Sequence, residues 1–156
     1  MLYYYNRCEQ DSVAKWIVKM EPLVQKSGLW DYFFDARRFQ IDLYTFTEQY
    51  ELAISEANKM KQKALDIDNN RGTVAAYQCL SNAYIGSQRW DEGLKALEEA
   101  YRLLPKNGNA VVHISVLSQL ISVTKEMKDN YRQLKYLQEL ENVLRKFIID
   151  NPSLKD

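Results

Sequence analysis

The residues able to do chemistry are few, and their spacing argues against catalysis. His113 is the single histidine. It falls in an apolar stretch where helical spacing sets no Ser, Cys or carboxylate beside it, so the expectation is a structural imidazole bonded within the fold. The run Asp66-Ile67-Asp68-Asn69-Asn70-Arg71-Gly72 glances toward a calcium loop. Its glycine comes one residue late, however, and Tyr77 stands where a bidentate Glu would close the site. A polar connector, with Thr73 capping the next helix, is the better reading. Cys8 and Cys79 cannot form a disulfide framework. Both fall on predicted helices and are expected as unpaired thiols serving as small apolar side chains, a mild lean toward a cytoplasmic home. The sequence holds no phosphate-cradling glycine loop, no paired-cysteine metal spacing and no nucleophile elbow. No metal, no cofactor and no catalysis by this chain are expected.

Composition narrows the classes further. At 156 residues the chain is long enough for one domain with a sizeable core. Lys plus Arg number 21 and Asp plus Glu number 21, so no net field draws it to nucleic acid or to an anionic membrane. No run of about 18 apolar residues is present, and membrane insertion by this segment is not expected. The opening MLYYYNRCEQD lacks a basic n-region followed by an apolar h-region, unlike a signal peptide. Five glycines and three prolines suit long helices joined by tight turns.

The elements that must position any functional surface are clearest in Val74 to Asn107, VAAYQCLSNAYIGSQRWDEGLKALEEAYRLLPKN. Tyr77, Leu80, Ser81 and Tyr84 recur at i, i+3, i+4 and i+7, one stripe of a helix. After a break at Gly86-Ser87-Gln88, Leu94, Leu97, Tyr101 and Leu104 form a second stripe. Two amphipathic helices joined so tightly must fold face to face. Small residues at Ser81, Gly93 and Ala100 let their backbones approach, while Tyr77, Tyr84 and Trp90 fill the flanks.

The places held by Tyr77, Leu80, Ser81, Tyr84, Gly93, Leu97, Ala100 and Pro105 match at every position the signature of the tetratricopeptide repeat, which this stretch resembles. Ser81 stands where that family prefers Gly, and Gly93 where it prefers Ala. The resemblance implies an all-α, right-handed superhelix of helix pairs, with the first helix of each pair lining a concave groove that takes a peptide from a partner. Carried over by the repeat frame, the groove-facing residues are Asp35, Arg38, Asp42 and Thr45, then Ala75, Gln78, Asn82 and Ile85, then Ser115, Ser118, Ser122 and Lys125. Asn82 matches an asparagine that clasps the peptide backbone in chaperone-binding members. Their carboxylate-holding lysines and arginines are missing here, with Gln78 in one key place, which argues against an acidic C-terminal tail.

Around this repeat the rest of the chain falls into order. Residues 2 to 8 read as the tail of a helix. A second begins at Asp11 with the stripe Val13, Trp16, Ile17, Met20 and Val24, is kinked or restarted at Pro22, and stops at Gly28. Leu29 to Phe46 carries two apolar stripes, Tyr32, Ala36, Phe39, Leu43, Phe46 and Trp30, Phe33, Ile41, Tyr44, as a helix between two neighbours would. Arg37 and Gln40 fall where the family has apolar residues. A further helix runs from Tyr50 to about Leu65. Beyond the turn Asn107-Gly108-Asn109, Ala110 to Met127 buries Val111, Ile114, Leu117, Leu120, Ile121 and Thr124. Asn130 caps a last helix with the stripe Leu134, Leu137, Leu140 or Glu141, Leu144, Phe147 and Ile148.

Markers at Gln10, Tyr50, Trp90 and Asn130 stand 40 residues apart. Four hairpins, about 1–27, 29–66, 73–105 and 109–149, follow from them as one domain, with the residues beyond the family's usual length lying between hairpins, at 62–69 and around 108–113. Uncovered apolar groups are expected at both ends, Tyr3 and Tyr5 at one and Val143 and Ile149 at the other. This points to a segment of a larger protein or to self-association through the end helices. The functional expectation is a non-enzymatic module holding a partner protein, a peptide or an adjoining domain. The alternative is a ligand-sensing or regulatory segment of a signalling protein such as a sensor kinase or transcription regulator.

Overall fold

A computed structural model describes residues 2–105 and 108–151, with side chains from Ser12 onward. Among the described residues it is all-helical, with no strand: α1 (Leu2–Ser27), α2 (Trp30–Phe46), α3 (Tyr50–Asp66), α4 (Asn70–Gly86), α5 (Trp90–Leu103), α6 (Ala110–Glu126) and α7 (Asn130–Asp150). None is long and apolar enough to cross a membrane. The odd-numbered helices α3, α5 and α7 begin at Tyr50, Trp90 and Asn130, and the even-numbered ones at Trp30, Asn70 and Ala110, so both sets recur every 40 residues.

Each helix packs on the next along the chain, and α2 packs on α4 as well. Two apolar clusters result. One joins Ile17 and Val24 of α1, Phe33, Phe34 and Ile41 of α2, the alanines and Met60 of α3, and Ala76, Cys79, Leu80 and Ala83 of α4. The other joins Val74 to Leu94 and Leu97 of α5, Val116, Leu117 and Leu120 of α6, and Tyr136 of α7. Helix α4 belongs to both. It can approach its neighbours closely because of its glycines: a Cβ on Gly72 would lie 2.6 Å from the Phe34 ring. Gly93 of α5 likewise sits 2.7 Å, measured from the position of a Cβ, from Cγ1 of Ile85. An alanine would be crowded there.

Several expectations are corrected. The segment 1–27 is not a hairpin: α1 runs unbroken from Leu2 to Ser27, with Pro22 inside it. Tyr3, Tyr5 and Cys8 lie outside the described side chains, and Asn107 outside the described residues. Gly28 does stop α1, with φ 72° and its N–H donating to the Val24 carbonyl at 2.8 Å. The cap of α4 is Asn69, whose side chain accepts from the Gly72 N–H at 2.6 Å, while Thr73 lies inside the helix and bonds back to the Asn69 carbonyl. Asp129 rather than Asn130 caps α7, accepting from the Arg132 N–H at 3.0 Å. Of the residues expected between hairpins, 62–66 belong to α3 and 110–113 to α6.

Two apolar stripes also change sides. In α2, Tyr32, Phe39 and Phe46 face solvent, and Phe33, Phe34, Gln40 and Ile41 are buried. In α7, Leu134, Leu137, Leu144 and Ile148 are exposed, while Tyr136 is buried and Leu140 and Val143 pack on the second cluster. Val111 is exposed too. Arg37 and Gln40 keep the buried register by bonding one another. Arg37 donates to Gln40 Oε1 at 3.0 Å and to Glu56 of α3 at 2.6 Å, and Gln40 donates to the Tyr44 hydroxyl at 3.0 Å. Burial pushes the Glu56 carboxyl up, but hydrogen bonds from Lys59 and Arg37 outweigh it and leave the pKa below the usual value.

Candidate functional site

The first turn of α4 projects Arg71 toward α2, where Asp31 and Asp35 stand one helical turn apart. Its guanidinium grips both: Nη2 lies 2.9 and 2.8 Å from the Asp35 carboxylate oxygens and Nη1 3.1 Å from Asp31. Burial alone would lower the Arg71 pKa, but the two carboxylates raise it above its ordinary value. One turn further along α2, Arg38 pairs with Asp42 at 3.7 Å. Burial lifts the Asp42 carboxyl, while the Arg38 charge and a hydrogen bond from Asn82 hold it partly down. The charges on this face are therefore largely balanced from within the chain.

These side chains edge a cleft of about 560 Å³, bounded by α2, α4, the end of α5 and the start of α6. Val74, Ala75, Val112, Leu104 and Pro105 give it apolar walls, and Asn70, Gln78 and Asn109 supply amides. Gln78 is itself buried, its amide donating to Gln119 of α6 at 3.0 Å. His113 closes one end. Its Nδ1 lies 3.1 Å from the Asn109 carbonyl, which can only accept, so Nδ1 is the donor there. Its ring also meets Tyr101 edge-on at 6.3 Å. A smaller recess of about 350 Å³ adjoins α4 and α6, lined by Asn82, Ile85, Trp90, Gln119 and Ser122 among others.

The groove residues named from sequence are thus divided. Asp35, Arg38, Ala75 and Gln78 share the larger cleft, Asn82, Ile85 and Ser122 share the smaller, and Asp42 bridges Arg38 and Asn82. Thr45 bonds its own helix at the Ile41 carbonyl, and Ser115, Ser118 and Lys125 are exposed on α6 and line neither recess. Arg71, His113 and Gln119 were not among the named residues. Arg71 had a signal, since it stands 40 residues after Asp31 in the frame that relates the helices.

Chemically the cleft offers hydrogen bonds and shape. Cys79, the nearest thiol, is buried, and burial followed by the Asp42 charge pushes its pKa up to about 12, so it stays a neutral apolar group. Among the described residues no three His, Cys, Asp or Glu side chains converge as a metal ion requires. Comparison with known proteins finds no match to this chain among protein-family models, curated proteins or solved structures.

Proposed function

We propose that the chain is a non-enzymatic interaction module, a tetratricopeptide-like right-handed superhelix whose concave face holds an extended segment of a partner protein or of an adjoining domain. The observation that carries this reading is the cleft edged by Asp35, Arg38, Arg71 and Gln78, which joins apolar walls to amides and to charges already paired. Amide groups of Asn70, Gln78 and Asn82 suit the alternating N–H and C=O of a peptide backbone. The apolar patch of Val74, Ala75 and Val112 suits a small apolar side chain. Because Arg38 and Arg71 are already neutralised by aspartates, a mixed, uncharged peptide fits better than an acidic tail.

The test is titration of an unbiased peptide library against the native chain and the variants Asp35→Ala, Arg38→Ala and Asn82→Ala. Loss of one hydrogen bond at a binding site costs about 1–1.5 kcal/mol, so each variant should bind selected peptides roughly tenfold more weakly. Peptides that bind all three variants as tightly as the native chain would remove this groove as the site.

A further inference from the structure

We infer that the chain assembles with further copies of itself, the exposed stripe of α7 in one copy lying in a helix-wide seat between α1 and α2 of the next.

The seat follows from the 40-residue register. Val13, Ile17, Met20 and Val24 on the inner side of α1 stand 40 residues before Ala53, Ala57, Met60 and Ala64 of α3, and both sets belong to the first apolar cluster. The C-terminal part of α1 therefore fills the place of the second helix in a hairpin. In α3 the adjoining flank carries Glu56 and Lys63, and both touch α2: Glu56 at 2.6 Å from Arg37, and Lys63 at 5.1 Å over the Trp30 ring. Their counterparts in α1 are Trp16 and Leu23. On α4, Gly72 meets Phe34 of α2 and Gly86 meets Tyr50 of α3, and Ala76, Cys79 and Ala83 between them belong to the first apolar cluster. The counterparts in α2 are Tyr32, Ala36, Phe39, Leu43 and Phe46.

Trp16, Leu23, Tyr32 and Phe39 thus face one place, where the first helix of a preceding hairpin would lie, with Phe46, the counterpart of the Gly86 that meets the second helix, at its end. Because α1 continues as a single helix, no described helix occupies it. Trp16, Leu23, Tyr32, Phe39 and Phe46 are each more than half exposed. Where the chain supplies its own helix, the same positions are Glu56, Lys63, Gly72, Cys79 and Gly86. The vacant seat is the more apolar of the two.

The matching helix is α7. Leu134, Leu137, Leu144 and Ile148 form one stripe and are 38 to 58 % exposed. They occupy the register of Leu94, Leu97 and Leu104, of which Leu94 and Leu97 are fully buried in the cluster shared with α6. At 21 residues α7 spans a seat sized for the 17 residues of α2 or α4. On α1 Lys19 lies over the Trp16 ring at 5.2 Å, and on α7 Glu141, paired with Arg145 at 2.6 Å, interrupts the stripe. Four aromatic rings able to bury about 150–250 Å² each bring the seat within reach of the ~800 Å² per partner of a stable interface. Within one copy α1 and α7 are not among the packed pairs of helices. The contact therefore runs between copies, head to tail, and closes only if two copies exchange helices.

Light scattering over a concentration series reads this directly. The native chain should gain mass with concentration, and Phe39→Glu, or Tyr32→Lys in the same seat, and Leu137→Glu should each remain monomeric with native helix content by circular dichroism. A one-to-one mixture of Phe39→Glu and Leu137→Glu should recover a dimer, because one intact seat then meets one intact α7. A native chain that stays monomeric at about 0.5 mM, where contacts of ~4–5 kcal/mol already register, overturns the inference. So does association that survives either variant, which is the result expected if seats pair with seats or α7 with α7, and so does a mixture that stays monomeric.

Discussion

At the scale of single residues, the closest approach of α4 and α5 shows how much one atom decides. Gly93 leaves room for Ile85 and for the Ser81 carbonyl, which would stand 3.3 Å from a Cβ placed there. Ser81 itself is fully buried, and its hydroxyl has no hydrogen-bond partner among the described residues. Thr124, equally buried, differs in donating to the Leu120 carbonyl at 2.7 Å. Leaving a buried hydroxyl unpaired costs about 1–3 kcal/mol, and alanine is also the better helix former. Ser81→Ala is therefore expected to raise stability by about 1 kcal/mol in urea unfolding. Ser81→Gly removes the same hydroxyl but loses about 1 kcal/mol of helix propensity and should show no gain. If alanine destabilises the chain, the hydroxyl is bonded in solution and the premise fails.

At the scale of elements, four helices end alike. After α2, α3, α4 and α6 the chain passes through Glu48, Asp68, Gln88 and Lys128 in the left-handed region, at φ 61°, 53°, 63° and 58°. The following N–H bonds back across the turn, Gln49 to Tyr44 at 2.8 Å, Asn69 to Ala64 at 2.8 Å, Arg89 to Tyr84 at 2.7 Å and Asp129 to Thr124 at 2.9 Å. Asp68 bears the short side chain that tolerates this region best. Side chains in that region strain the backbone, and glycine does not. Each of Glu48→Gly, Gln88→Gly and Lys128→Gly should therefore raise stability by about 0.5–1 kcal/mol, a Tm rise of roughly 1–4 °C that adds across the three distant sites. Equal or lower Tm values would mean that the greater freedom of glycine in the unfolded chain outweighs the relief. The ends of α2, α4 and α6 were legible in sequence because apolar periodicity stops abruptly before Tyr50, Trp90 and Asn130. The starts were less so: Asn69, Asn70 and Thr73 are all capable caps, and only geometry decides which oxygen reaches the Gly72 N–H. Nor does periodicity say whether a second apolar stripe has a neighbour. Tyr32, Phe39 and Phe46 read as a sandwiched face, and the missing fact was that α1 does not fold back on itself. Of the candidate site, Asp35, Arg38 and Gln78 were legible through the repeat frame, whereas Arg71 was legible only as the residue 40 places after Asp31, and His113 was read as a structural imidazole.

At the scale of the whole molecule, packing that runs along the chain makes stability uneven. Helices stacked on their nearest neighbours hold together as a sum of local contacts, so elements with neighbours on two sides outlast those with one. Helix α4 lies in both apolar clusters, while α7 buries one side chain fully, Tyr136. It is otherwise tied to α5 by a reciprocal pair of bonds, Tyr136 donating to Glu98 at 2.8 Å and Tyr101 to Glu139 at 3.3 Å. Native-state hydrogen exchange in dilute solution should show α7 opening at a free energy lower than that of α4 by on the order of 2 kcal/mol, about one buried apolar side chain. Raising the protein concentration should slow exchange in α7 and leave α4 unchanged, since a seat supplied by another copy covers the stripe from Leu134 to Ile148. Uniform exchange across α4 and α7 in dilute solution would show instead that the described helices unfold as one cooperative unit. In that case the register of 40 residues describes how the chain is built but not how it comes apart.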